Sequence, residues 1–161
     1  MTWTIRKTTP GEEPLLWELY HNTIHHVACR DYSPEQLQAW APDEIDPERW
    51  REKIERIAPF VCLHEETIVG YADLQSDGRI DHFFVHHRWQ RRGVGRRLME
   101  RIEQEAARKQ LQYLYAHVSK TARPFFESHG FFVLQEQQVN VHGVTLTNFK
   151  MEKLQPCSDL K

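Results

Sequence analysis

The sequence predicts an α+β fold, a mixed and mostly antiparallel central sheet flanked by helices. Three observations carry this expectation. First, an apolar run of strand composition, Ile80-Asp81-His82-Phe83-Phe84-Val85, passes through an arginine-bearing turn into a helical pattern. In that pattern Val94, Leu98, Met99, Ile102 and Ala106 share one face at 3.6-residue spacing, and a further strand from Gln112 to Val118 follows. A strand–helix–strand crossover makes those two strands parallel. Second, the runs Pro59 to His64 and Thr67 to Leu74, followed by the tight turn Ser76-Asp77-Gly78, read as an antiparallel meander. Third, the chain closes on two strands, Phe131 to Val141 and Val144 to Glu152, which turn at His142-Gly143.

The remaining elements follow in order. Trp3 to Thr8 alternates as a first strand, and Pro10-Gly11 breaks it. From about Glu13 to Ala28, Leu15, Leu16, Leu19, Thr23 and Val27 line an amphipathic helix. Ser33 starts a second helix, with Pro34 at its first position and Gln36 completing a capping box, and Pro42 ends it. Asp46-Pro47 opens a third helix, running to about Ile57, by the same logic. A short helix over about Ala122 to Ser128 stops at Gly130. No repeat or linker interrupts the chain, so 1–154 reads as a single domain and 155–161 as a flexible tail.

The central turn carries the chemistry. Gly93 and Gly95 stand where the turn becomes the helix, which leaves room for a close approach to the backbone. The first N–H groups of a helix lack intrahelical partners, carry partial positive charge and favour phosphate. Arg88, Arg91, Arg92, Arg96 and Arg97 add full charges around that opening. The pattern is a pyrophosphate cradle. It is not the phosphate loop of nucleotide hydrolases, which ends in Gly-Lys-Ser/Thr, nor the dinucleotide fingerprint, which needs a third glycine where Leu98 stands.

The segment Gln90-Arg91-Arg92-Gly93-Val94-Gly95 resembles the acetyl-CoA-binding motif of the GNAT acetyltransferase superfamily, Q/R-x-x-G-x-G/A after a strand ending in valine. Ala122 to Phe131 is similar to the family segment A-x-x-x-Y-x-x-x-G-F, and Asp31 to Pro42 looks like the YafP-like branch. The resemblance spans about Thr4 to Leu154. It implies that the two parallel strands splay apart and admit the pantetheine of acetyl-CoA. It also implies an N-acetyltransferase in which a primary amine attacks the thioester directly, with acetyl-CoA as co-substrate and no metal. The acceptor would be a small-molecule amine or an amine on a protein or peptide.

Such a reaction needs a deprotonated amine, since an alkyl ammonium has a pKa of about 10.4, and a donor for the charge developing on the carbonyl oxygen. The resemblance places that donor at the backbone N–H of Val85. It places cofactor contacts at Val85, Gln90, Arg91, Arg92, Gly93, Val94, Gly95, Arg96, Ser119 and Phe126. Asp81 reads either as the base or acceptor anchor, or as a strand-start carboxylate paired with Arg79. Ser119 reads as a cofactor contact, a helix N-cap, or both. Phe126 stands where the family usually has a tyrosine general acid, and it has no proton to donate. That departure keeps a second function in view, a module that binds and senses acyl-CoA with little turnover. Tyr32, Trp40 and His25 are expected to line the acceptor site, since the family's early helices cover it. Among His82, His86 and His87 the sequence selects none as proton relay. His21, His25 and Cys29 fall at i, i+4, i+8, a spacing compatible with zinc, with pocket lining or with a plain helix surface.

Composition sets the outer bounds. The chain has 161 residues, enough for one real core, and a net charge of −2 that gives no case for nucleic acid or membrane binding. Three cysteines at wide spacing form no disulfide framework and suit a reducing compartment. With no signal peptide or membrane span, the expectation is a cytoplasmic protein, possible as a homodimer.

Overall fold

The computed structural model describes residues 2–156. Of the expected tail, 157–161 lie outside the described residues, and the N–H of Gln155 still donates to Gln112 O at 2.9 Å.

The chain runs β1 (Trp3–Lys7), α1 (Glu13–Val27), a 3-10 turn (Ala28–Arg30), α2 (Pro34–Trp40), α3 (Pro47–Ile57), β2 (Phe60–His64) and β3 (Thr67–Ala72). Then come β4 (Arg79–Ile80), β5 (Phe83–Val85), α4 (Val94–Arg108), β6 (Tyr113–Ser119), α5 (Arg123–Ser128), β7 (Phe132–Val141) and β8 (Val144–Leu154). Local chemistry fixes the helix ends. Ser33 and Gln36 form the capping box of α2, and the Asp46 side chain accepts from the N–H of Glu48 at the start of α3. The apolar face of α4 is buried: Val94, Leu98, Met99, Ile102 and Ala106 pack with Cys62, Val69, Leu114, Ala116 and Met151 from the strands. A second cluster sets Leu16 and Leu19 of α1 against Ile54 and Ile57 of α3 and against Val61 and Tyr71 of the sheet.

The expected single central strand is in fact two short ones. β4 pairs with β6 in parallel, Arg79 opposite Tyr115 and Ile80 opposite Ala116. β5 pairs with β3 antiparallel, Ala72 opposite Phe83 and Gly70 opposite Val85. The sheets therefore run β1-β2-β3-β5 and β4-β6-β8-β7, joined through the interruption at Asp81 and His82. Every pairing except β4 with β6 is antiparallel.

The interruption has a local cause. The fully buried Asp73 accepts the N–H of Asp81 at 2.8 Å and that of His82 at 2.7 Å on the same oxygen, Oδ1. A carboxylate thus takes two backbone donors that a continuous ladder would give to neighbouring strands. The strand bends there, and β5 leaves β6. Asp73→Ala should cost about 2–4 kcal/mol, because it strands two donors away from water. Asp73→Asn, which keeps an acceptor oxygen, should recover part of that loss in urea denaturation.

Candidate functional site

The gap between β5 and β6 opens into a cavity of about 830 Å³. It reaches from the first turn of α4 to the underside of α1 and α2.

The α4 end is the cradle. Gly93 caps the helix at φ 84°, left-handed backbone that favours glycine. The N–H of Arg97 donates to Gly93 O at 3.1 Å, so the N–H groups of Val94, Gly95 and Arg96 precede the first helix acceptor. A Cβ at Gly95 would lie 2.8 Å from Cε1 of Phe125, so a glycine is what lets α5 close against this turn. Gln90, Arg91, Gly93, Gly95 and Arg96 all line the cavity. The side chain of Val94 is buried in the core, leaving its N–H as its contribution. Arg92 and Arg97 lie over the rings of Trp89 and Trp3, at 4.9 and 4.0 Å, and are engaged there. Ser119 and Phe126 line the cavity too. The Ser119 hydroxyl accepts from the N–H of Ala122 at 3.0 Å, which closes the turn ahead of α5; the N-cap of that helix is Ala122, so Ser119 is not the cap the sequence offered. The ring of Phe126 meets Phe83 edge-on at 5.6 Å between centroids.

At the middle of the cavity stands Val85. The N–H of His86 donates to Val69 O and that of Asp73 to His82 O, which makes His86 and His82 the residues of this segment turned toward β3. By the alternation of an antiparallel ladder, Val85 turns its N–H and C=O the other way, into the gap. Its carbonyl is held by the Thr23 hydroxyl at 2.9 Å and the Gln90 amide at 2.8 Å, while the N–H faces the cavity. Sequence reasoning missed Thr23. A hydroxyl on the otherwise apolar stripe of α1 is the signal that could have found it.

The far end is aromatic. Tyr20, Tyr32, Trp40, Phe84 and His82 line it. The Tyr32 hydroxyl donates to Thr147 O at 2.6 Å and accepts from the N–H of Lys120 at 2.9 Å, which ties the segment between the 3-10 turn and α2 to β8 and to the end of β6. His25, expected here, does not line the cavity; its Nε2 lies 2.6 Å from Ala41 O on the other side of α1. Asp81 lines the cavity but is taken by two cations, Lys53 Nζ at 2.5 Å and Arg79 Nη2 at 3.3 Å. Burial pushes its carboxyl up, yet Lys53, His82 and Arg79 together outweigh burial and hold it below the ordinary carboxylate range.

Of the three candidate histidines, only His82 lines this cavity. Its Nδ1 lies 2.9 Å from Tyr71 Oη, and its ring stacks on Tyr20 at 5.5 Å. Burial drives its imidazole down to about 4, against the opposing pull of Asp81, so it is neutral at neutral pH. His86 and His87 stack on each other, and His87 on His26, away from the cavity.

Among the described residues no helix is long and apolar enough to cross a membrane. The acetyltransferase (GNAT) domain profile matches residues 28–153. The chain is 33% identical over 147 residues to a protein described as uncharacterized N-acetyltransferase YafP of Escherichia coli strain K12, covering 91% of this chain and 93% of that one. The structure of a GCN5-related N-acetyltransferase from Rhodopseudomonas palustris superposes with a TM-score of 0.91 at 26% identity, covering 96% of each chain. Two more distant structures share the fold. One is PaiA N-acetyltransferase of Thermoplasma acidophilum in complex with coenzyme A (TM-score 0.76, 17% identity, 96% of this chain and 99% of that). The other is the putative acetyltransferase YncA of Salmonella typhimurium with acetyl-CoA (TM-score 0.71, 20% identity, 100% and 98%). The strand that splits around Asp73, the glycine cradle at the head of α4 and this similarity over nine-tenths of the chain have one meaning: the protein belongs to the GNAT N-acetyltransferase family.

Proposed function

We propose that residues 1–154 act as a single domain that transfers the acetyl group of acetyl-CoA by direct attack of a primary amine carried on an apolar or aromatic body. One observation carries this reading: a single cavity joins the phosphate cradle, the N–H of Val85 and the neutral, buried His82. Acetyl-CoA fits the chain's own residues, since the α4 cradle suits a pyrophosphate and the gap between β5 and β6 suits an extended arm. It supplies an activated thioester and a thiol leaving group.

The residues divide the remaining work. The Val85 N–H stabilises negative charge at the thioester oxygen, and Thr23 and Gln90 hold the adjoining Val85–His86 peptide by its carbonyl. The aromatic end disfavours an ammonium, so the acceptor binds as free amine. The role belongs to the tautomer in which Nδ1–H donates to Tyr71 Oη, because there Nε2 of His82 holds the lone pair that takes the proton released as the C–N bond forms. Asp81 is its electrostatic partner, anchored by Lys53 and Arg79. No acid is assigned to the leaving thiolate, which resembles a cysteine of pKa about 8.5 and departs readily near neutral pH.

Free-thiol release across a panel of amines tests this directly. The expected result is turnover with amines bearing an aromatic or aliphatic group and little with short polar ones. Phe126→Tyr should keep acetyl-CoA affinity and leave kcat unchanged or raise it up to about tenfold. Tight acetyl-CoA binding with no thiol release on any amine would favour the acyl-CoA sensor that Phe126 brings into view.

A further inference from the structure

We propose that His21, His25 and Asp43 form a binding site for a zinc-class divalent cation, outside the acetyl-transfer cavity. The three side chains can each offer one ligand atom within 4.8 Å of the others. His21 and His25 stand one turn apart on α1, away from its buried stripe of Leu16, Leu19, Thr23, Ile24 and Val27. Their ring centroids are 4.2 Å apart. Asp43 comes from the segment between α2 and α3, and its Oδ1 lies 3.0 Å from His21 Nε2.

The His21–Asp43 distance suits tetrahedral coordination. Zinc–ligand bonds of about 2.0–2.2 Å place neighbouring ligand atoms roughly 3.3 Å apart. The His21–Asp43 pair needs to open by only a few tenths of an ångström. His25 supplies the second argument. Its Nε2 meets the carbonyl of Ala41 at 2.6 Å, and a carbonyl can only accept, so Nε2 carries the hydrogen. In the neutral ring Nδ1 then presents a bare lone pair. A metal-binding histidine commonly has this arrangement, its other N–H fixed by a backbone oxygen. Two imidazoles and one carboxylate are a zinc-type donor set with a fourth position left for water, and the high exposure of the Asp43 side chain, 72%, keeps that position open to solvent.

Cys29, which shares the i+8 spacing, is not in the cluster. α1 ends at Val27 and tightens into the 3-10 turn Ala28–Arg30, which takes Cys29 off the 3.6-residue period. No step of acetyl transfer passes through the site. A bound ion would fasten α1 to the α2–α3 segment, beside Tyr20 and Trp40 at the aromatic end of the cavity. It would reinforce the two contacts the histidines now make with that segment, His21 with Asp43 and His25 with Ala41 O.

The test uses the untagged full chain, stripped of metal, titrated with zinc chloride in a non-coordinating buffer by calorimetry and thermal melting. The expected result is one zinc per chain and a Tm raised by roughly 5–10 °C at a hundredfold excess over Kd. His25→Gln should weaken zinc at least tenfold, and Asp43→Asn, at an exposed position that leaves folding intact, by about three- to tenfold. Magnesium should give no shift. No zinc uptake by the folded wild type would overturn the proposal. So would unchanged uptake in a His21→Gln/His25→Gln double variant, which would move the metal to the His26–His86–His87 stack or to a cysteine.

Discussion

Gly93→Glu should abolish acetyl-CoA binding, raising Kd by at least about 100-fold. Wild-type protein should show a Tm that climbs with acetyl-CoA concentration, because a ligand that binds only the native state stabilises it by mass action. In the variant the climb should vanish. Two effects act together. A Cβ at Gly93 would lie 2.9 Å from Arg97 Nη1, and φ 84° is strained for any residue with a side chain. The new carboxylate would also sit where pyrophosphate charge belongs, among the free N–H groups and beside Arg91 and Arg96. The same carboxylate is favourable to the helix dipole, so part of the backbone strain is returned and the fold should persist, which far-UV circular dichroism checks. A normal acetyl-CoA isotherm from folded Gly93→Glu would remove the cradle from the mechanism.

His82→Asn should lower kcat/KM for the amine by about 10²-fold or more while leaving acetyl-CoA affinity within a few-fold. It should also change how stability depends on pH. The imidazole of His82 is pushed down to about 4, below the ordinary value near 6.5. Between those limits the unfolded chain binds a proton that the folded chain refuses, so stability falls as pH falls. The stability is fully present above about pH 6.5 and is lost progressively toward pH 4, where the difference amounts to about 3 kcal/mol. Other histidines, His86, His87, His117 and His129, are shifted the same way, so the wild-type slope contains them all. The difference between wild type and His82→Asn isolates His82. Urea denaturation at pH 7 and at pH 4.5 measures it: the variant should lose markedly less stability than the wild type. Equal losses, with catalysis unimpaired, would return the base to a bound water or to Asp81.

Where chemistry is local, the sequence is a good guide. The period of α4 marks the five side chains that are buried, and the Ser33–Gln36 box and Asp46 set the starts of α2 and α3 where the residue types place them. The hairpin turns at His142-Gly143, as the run of apolar and polar residues indicates. The glycine turn at the head of α4 is legible because an opening of the kind that suits phosphate needs only glycines, a preceding strand and cations within a few residues of one another. These features depend on dihedral preferences, capping and side-chain period, all set by neighbours in the chain.

The aromatic end of the cavity is legible only in part. Tyr32 and Trp40 line it, while His25 turns to Ala41, because the residues α1 presents to the cavity are Tyr20, Thr23, Ile24 and Val27. Asp81 has the right place but also two cationic partners, one of which, Lys53, comes from α3. The reading of Ile80 to Val85 as one strand fails at Asp81 and His82 because Asp73 reaches across and takes both N–H groups. Sequence by itself determined the fold class and the glycine turn that opens α4, since capping and side-chain period are local, and the expectation of acetyl-CoA came from the resemblance to the family. Tertiary structure decided where the strand splits, that Thr23 holds the Val85 carbonyl, and that His82 rather than His86 or His87 is the neutral imidazole at the cavity. Those outcomes depend on burial, and the water a group loses on folding is set by residues distant in sequence.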